Sequence, residues 1–191
     1  VTELRSRFDL TGKKVVLYAG MFGRANAVKM LLRSAQLEKR QDVRFVLIGD
    51  GFHHGDVAEA AAGNPKLVIV EPQPRHAVFK WFKLADLSLV PFIDLPVLAA
   101  NSPSKFFDSL AAGTPVIVTN PGWTRQFVEE HECGWYVPPE DPESLTQAID
   151  QALDSPWDLA RAGANGRRIA VTEFDRVAMA RKIEEMMVGK R

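Results

Sequence analysis

Short apolar runs alternate with amphipathic stretches along this chain. Lys14–Ala19 (Lys-Val-Val-Leu-Tyr-Ala) is a β-branched run closed by Gly20, and Asn26–Lys39 follows with Val28, Leu31, Leu32 and Ala35 at helical spacing. Val43–Ile48 reads as a second strand, closed by Gly49-Asp50-Gly51 and followed by an Ala-rich helix around Asp56–Ala62. The alternation continues with strand Lys66–Val70 and helix His76–Leu84, then strand Leu87–Val90 and helix Pro103–Ala112. Strand Pro115–Thr119, a short helix Trp123–Glu130 and a short strand Gly134–Val137 come next, and polar-faced helices near Asp141–Asp154, Pro156–Ala170 and Asp175–Met187 complete the pattern. Continuous apolar strands, each followed by a helix, predict a parallel sheet covered on both faces. Right-handed crossovers make this an α/β, doubly wound, Rossmann-like fold of about six strands. No repeat or long linker divides the chain, so one domain over 1–191 is expected.

Composition narrows the function classes. At 191 residues, 46% apolar and 25% charged, the chain has the make-up of a folded domain rather than a disordered one. The 24 Lys and Arg balance 24 Asp and Glu, which leaves no global field for DNA or RNA, and no nucleic-acid partner is expected. Apolar runs such as Val43–Gly49 and Leu84–Pro91 fall far short of the ~20 residues that cross a bilayer. A lone Cys133 excludes an internal disulfide framework and points to a reducing compartment. Val1–Leu10 is charged and lacks the apolar segment of a leader, so a cytoplasmic location is expected. His53, His54, His76 and His131 lack metal-ligand spacing with Cys133 or with acidic partners, and no metal site is expected.

In doubly wound sheets, ligands sit outside the carboxyl ends of the strands. The first loop there is Gly20-Met21-Phe22-Gly23-Arg24, between a strand and a helix. Its glycines let backbone N–H groups converge on an anion, and Arg24 offers a forked, charge-assisted contact to phosphate. The same composition also suits an ordinary strand-to-helix turn, and the spacing is not the G-x-G-x-x-G of dinucleotide folds. The second candidate is Asn101–Pro115, in which Ser102 reads as an N-cap, Pro103 as the first helical residue and Gly113 as the helix stop. On that helix Ser104, Lys105 and Asp108 share one face, with Phe106, Phe107, Leu110 and Ala111 on the buried side. The helix start, Ser104 and Lys105 form an anion seat, and Asp108 is placed to accept bonds from vicinal hydroxyls such as those of a ribose. The bland alternative is an exposed Lys105–Asp108 ion pair.

The stretch Ser102–Val118 (S-P-S-K-F-F-D-S-L-A-A-G-T-P-V-I-V) resembles the signature of glycosyltransferase family 4, retaining enzymes of GT-B fold. Leu17–Gly23, Phe45–Gly51, Ala85–Pro91 and the late Gly134–Pro139 with Asp141–Leu145 agree with that family in order and spacing, so the resemblance spans Val15 to Ile149. It implies the carboxyl-terminal, donor-binding half of a two-domain enzyme. A nucleoside-diphosphate sugar is then the donor, and no cofactor is needed. An acceptor-binding N-terminal domain outside this chain is the partner, and membrane contact is left to the full-length protein. By this resemblance Gly20, Gly23 and Arg24 face the diphosphate, Gln73 in Pro72-Gln73-Pro74 lies beside the base, and Asp108 holds the ribose. Ser102, Ser104 and Lys105 then lie near the diphosphate and donor sugar, with Lys105 and Arg24 as the catalytic charges on the leaving group. Two departures stand out. Ala100 replaces the first acid of the family's E-x7-E pair, and Asn26 stands where the family often has a Lys. From the residues alone, a nicotinamide-dependent oxidoreductase using Asp50, a non-catalytic sugar-nucleotide-binding domain and a sugar-nucleotide epimerase remain alternatives.

Overall fold

The computed structural model describes residues 2–188, so the expected domain 1–191 and the basic end Arg181–Arg191 lie partly outside the described residues. Strands β1 (Lys14–Ala19), β2 (Val43–Ile48), β3 (Leu67–Val70), β4 (Leu87–Val90), β5 (Val116–Val118) and β6 (Gly134–Tyr136) form one sheet. Its order is β3-β2-β1-β4-β5-β6 and every pairing is parallel, from Lys14 opposite Val43 to Val118 opposite Tyr136. This is the doubly wound α/β arrangement that the apolar runs predict.

The helices are α1 (Thr2–Arg7), α2 (Val28–Leu37), α3 (His54–Gly63), α4 (Arg75–Leu84), α5 (Ser104–Ala112), α6 (Trp123–His131), α7 (Pro142–Asp154), α8 (Pro156–Glu173) and α9 (Arg176–Val188). Successive strand residues point to opposite faces. Val16 and Tyr18 therefore pack with Val28 and Leu31 of α2, Val57 of α3, and Leu145 and Ile149 of α7. Val15, Leu17 and Ala19 pack with Trp81, Phe82 and Leu84 of α4 on the other side, where Phe106 and Leu110 of α5 join Val90, Val118 and Val128. Gly163 lets α8 lie against α5, because a Cβ there would overlap the carbonyl of Gly113. Among the described residues, no helix is long and apolar enough to cross a membrane.

Three local differences from the sequence pattern matter. The helix expected from Asn26 begins at Val28: Arg24–Asn26 is a 3-10 turn and Ala27 adopts a left-handed conformation (φ 44°). Asn26 is thereby released from the helix. A second 3-10 turn, Pro96–Ala100, fills part of the long segment after β4. Finally, Ser102 makes no cap bond and Pro103 is not helical; Pro103 takes the extended cap position (φ −75°, ψ 130°) and α5 starts at Ser104. The pre-proline restriction would suit Ser102 as a cap, since a cap residue is itself extended; what moves the helix start is Pro103, whose own extended ψ leaves it outside the first turn.

A pair of carboxylates sits where α2 meets α7. Glu38 ends α2 and is 3% exposed, and Lys66 Nζ bonds to its carbonyl. One carboxylate oxygen of Glu38 accepts the N–H of Arg40 at 2.7 Å, while the other, like an oxygen of Asp150 in α7, is buried without a partner. Burial first, and then the Asp150 charge, push the Glu38 carboxyl up. A carboxyl whose folded pKa is raised contributes its stability at low pH and loses it as pH rises through the folded value. Glu38→Gln keeps the Arg40 bond and offers an amide donor toward Asp150. We predict that it raises Tm by about 2–4 °C at pH 8, the equivalent of about 1 kcal/mol in a domain of this size, and by less at pH 4.5, read by calorimetry at both values.

Candidate functional site

The sheet order reverses between β1 and β4: the chain leaves β1 for α2 on one face and β4 for α5 on the other. The gap at the carboxyl ends of these two strands is a hollow of about 390 Å³. Its wall is shared by Gly20 and Met21 after β1, Asp50 after β2, Gln73 and Arg75 before and in α4, and Ser104, Lys105 and Asp108 of α5.

Lys105 is the chemical centre of this hollow. Its side chain is not the exposed partner of Asp108 that the helix spacing alone allows; the residue is 8% exposed. Its Nζ donates to Asn26 Oδ1 at 3.1 Å and to the Tyr18 hydroxyl at 3.3 Å, and stands 4.3 Å from the Tyr18 ring centroid. Among the described residues no carboxylate lies within ion-pair distance of it. Burial of the charge pushes the Lys105 ammonium down to about 7. α5 starts at Ser104, which borders the same hollow, and Pro103 before it brings no N–H of its own.

The loop after β1 is built to lie against this ammonium. Gly20 has φ 153°, and a Cβ there would stand 3.1 Å from Lys105 Cε and 3.2 Å from Nζ, so a side chain would displace the lysine. The loop is held by backbone bonds to the end of β2 and the loop after it: Gly20 N–H to Ile48 O at 2.9 Å, Phe22 N–H to Asp50 O at 2.8 Å, and His53 N–H to Phe22 O at 2.9 Å. Phe22 is fully buried beneath it.

Of the residues singled out from the sequence, the structure brings Gly20, Gln73, Ser104, Lys105 and Asp108 to one hollow. It does not bring Gly23, Arg24 or Ser102 there. The Arg24 guanidinium stacks 4.0 Å over the Phe52 ring and borders a different hollow with Lys29 and Arg33. Ser102 and Ala100 lie beside an aromatic hollow formed by Phe107, Trp123, Phe127 and Phe174. Asp108 accepts a bond from Arg75 at 2.8 Å through one carboxylate oxygen. Sequence reasoning gave no role to Arg75, Tyr18 or Asn26. Arg75 belongs to a post-strand segment open to inspection, whereas Tyr18 reads simply as a core residue of β1.

A parallel sheet of this order, with a hollow at its switch point, defines a Rossmann-like domain of the GT-B kind. Residues 13–155 match the family described as Glycosyl transferases group 1, and the chain belongs to that family. Spore coat protein SA of Bacillus subtilis is 28% identical over 181 residues, covering 90% of this chain and 48% of that protein. Probable glycosyltransferase WbjE of Pseudomonas aeruginosa is 28% identical over 162 residues, covering 83% of this chain and 40% of that protein. The chain thus spans about half the length, or less, of these curated relatives. Among solved structures, Anabaena HepE in complex with UDP-glucose aligns with a TM-score of 0.82 at 18% identity, over 98% of this chain and 52% of that one. Sucrose-phosphate synthase from Thermosynechococcus elongatus aligns with a TM-score of 0.82 at 24% identity, over 99% and 48%. At these identities the structural likeness concerns the fold.

A buried ammonium without a counter-ion lowers stability. Because its folded pKa is depressed, the penalty is absent above the unfolded value near 10.4 and builds as pH falls toward 7. We predict that Lys105→Met, of similar length, raises Tm at pH 8 by about 2–4 °C and has a smaller effect at pH 10.5, measured by thermal unfolding.

Proposed function

We propose that this chain is the donor-binding, carboxyl-terminal half of a retaining, hexosyl-type glycosyltransferase, and that the hollow at the β1–β4 switch point receives the diphosphate and ribose of a nucleoside-diphosphate sugar. The observation that carries this reading is Lys105, a buried ammonium at a helix N-terminus with no carboxylate in reach. Such a group wants an anion, and the Gly20 loop leaves room for one to approach on its backbone. Family membership points to the same chemistry, and HepE has been solved with UDP and with UDP-glucose.

The residues divide the work by chemistry. When the bond from the anomeric carbon to the diphosphate oxygen breaks, the electron pair stays on that oxygen. The Lys105 ammonium and the first N–H groups of α5 stabilise this charge without a metal ion or cofactor; one preorganised donor of this kind is worth about 2.7–4 kcal/mol of barrier. The Asp108 oxygen not bound by Arg75 is free to accept ribose hydroxyls, and Gln73 with Pro72 borders the base. Gly23, Arg24 and Ser102 join the donor only through a shift of their loops, since they lie outside this hollow. The acceptor and its positioning belong to a second, N-terminal domain, so the chain alone binds donor and transfers little. A cytoplasmic enzyme of polysaccharide or lipid-linked glycan assembly, with membrane contact made by the whole protein, fits this division.

The test is a thermal-shift and calorimetric panel of UDP, GDP, ADP, dTDP and NAD on the chain. At least one nucleoside diphosphate is expected to bind, and more tightly than NAD; preferential binding of NAD overturns the reading. Lys105→Ala is expected to weaken the diphosphate by about 10–100-fold, the worth of a hydrogen bond to a charged group, and the bare nucleoside far less. Asp108→Ala is expected to weaken both.

A further inference from the structure

We infer that Tyr18 and Asn26 are positioning residues that hold Lys105 in the hollow without a counter-ion, so that the diphosphate itself becomes the partner of the ammonium and donor binding takes up a proton. This rests on the donor-site reading above and adds to it how the charge is held and controlled.

The geometry is a three-point mount. Tyr18 lies in β1 with its ring buried, and burial pushes its phenol up, so the hydroxyl stays protonated. That single proton is given to the Met21 carbonyl at 2.6 Å. Toward Lys105 the phenol oxygen is therefore an acceptor only, and the ammonium donates to it. The second acceptor is Asn26 Oδ1. Asn26 reaches it because the 3-10 turn and the left-handed Ala27 keep it out of α2. Phe92, 5.4 Å from Nζ to ring centroid, closes the apolar side. Both hydrogen-bonding partners are neutral. They orient the nitrogen without cancelling a charge, and the third ammonium proton has no acceptor among the described residues.

The mount also joins a loop to a helix. The Tyr18 hydroxyl holds Met21 of the Gly20 loop with its proton and Lys105 of α5 with its lone pair, so the loop and the cation move together. Charged groups around the hollow are occupied elsewhere. Asp108, one turn along α5, is bound by Arg75 of α4; Asp50 after β2 lies 3.0 Å from His54 of α3; His53 pairs with Asp56; and Arg24 stacks on Phe52. Among the described residues, none is left to neutralise Lys105.

A consequence follows for protons. With its ammonium pushed down to about 7 in the free site, Lys105 is mostly neutral at pH 8.5. A diphosphate at hydrogen-bond distance favours the charged form, and the proton comes from water or buffer onto Nζ. Affinity then falls as pH rises through this range, by about tenfold per unit. An ordinary surface lysine, charged before and after binding, shows neither effect.

The experiment is calorimetry at pH 8.5 in two buffers of different ionisation enthalpy, using whichever of UDP, GDP, ADP and dTDP binds most tightly. At this pH the nucleotide is fully ionised, since the second phosphate pKa is near 6. The wild-type chain is expected to take up close to one proton per ligand and to lose about tenfold in affinity from pH 8 to pH 9. Asn26→Asp supplies a fixed carboxylate, keeps Lys105 charged when empty, and is expected to abolish the uptake and flatten the pH dependence while weakening binding. Tyr18→Phe is expected to weaken binding about tenfold and to keep the uptake. Binding by the wild type with no proton uptake and a flat pH profile overturns this inference and leaves the donor site standing. Full uptake in Asn26→Asp overturns the role of Asn26. Failure of all four nucleotides to bind overturns the donor site and this inference with it.

Discussion

The site depends on one costly arrangement: an ammonium taken out of water and given only neutral partners. Burying a charge is strongly unfavourable unless something pairs with it. The chain accepts that cost because the core fixes where Lys105 can go. Phe106 and Leu110, its neighbours on α5, are fully buried against the sheet. Ser109 donates to the Lys105 carbonyl at 2.6 Å and meets the Ser88 hydroxyl of β4 at 2.8 Å, which ties the first turn of the helix to the strand. With α5 held there, the lysine can only extend over Gly20 toward Tyr18 and Asn26.

The sheet topology turns this local arrangement into a hollow. Because β1 and β4 are neighbours whose helices leave on opposite faces, no backbone crosses the gap between their carboxyl ends. The loop after β1 fills one side, clamped by backbone bonds to the loop after β2, and the start of α5 forms the other. The walls are thus made of segments anchored in the core on both sides. That is the rigidity an electrostatic site needs if its donors are to be in place before charge develops. Among the described residues, Arg24 stacks on Phe52 and Arg75 is engaged by Asp108, which leaves Lys105 as the cation of this hollow without a carboxylate partner.

The motif residues of α5 illustrate how far spacing carries an argument. The i, i+3 and i, i+4 relation of Ser104, Lys105 and Asp108 correctly puts them on one face, and they line one hollow. The same spacing gives no hint that Lys105 is buried and Asp108 is not its partner. What separates them is the identity of the neighbouring elements: β1 and the 3-10 turn on the side of Lys105, α4 with Arg75 on the side of Asp108. Likewise, the Ser-Pro pair at 102–103 looks like a cap and a first helical residue in sequence, but Pro103 is itself extended and the helix starts one residue later.

The alternation of apolar runs and amphipathic stretches, though it did not show α1, determined the class of fold, the six strands to within a residue, the helices α2 to α9 to within three residues, and the segments after the strands. It could do so because those properties are local: periodicity, turn residues and the rule that parallel strands need crossover helices. Strand order, the release of Asn26 from its helix, the burial of Lys105, the Arg75–Asp108 pair and the turn of Arg24 onto Phe52 were decided by the tertiary structure. Each depends on residues far apart along the chain being pressed together, from Arg24 and Phe52 to Tyr18 and Lys105, which are 87 positions apart, or on a backbone conformation fixed by such packing. The charge state of a side chain follows from what surrounds it in space, and no reading of its sequence neighbours contains that information.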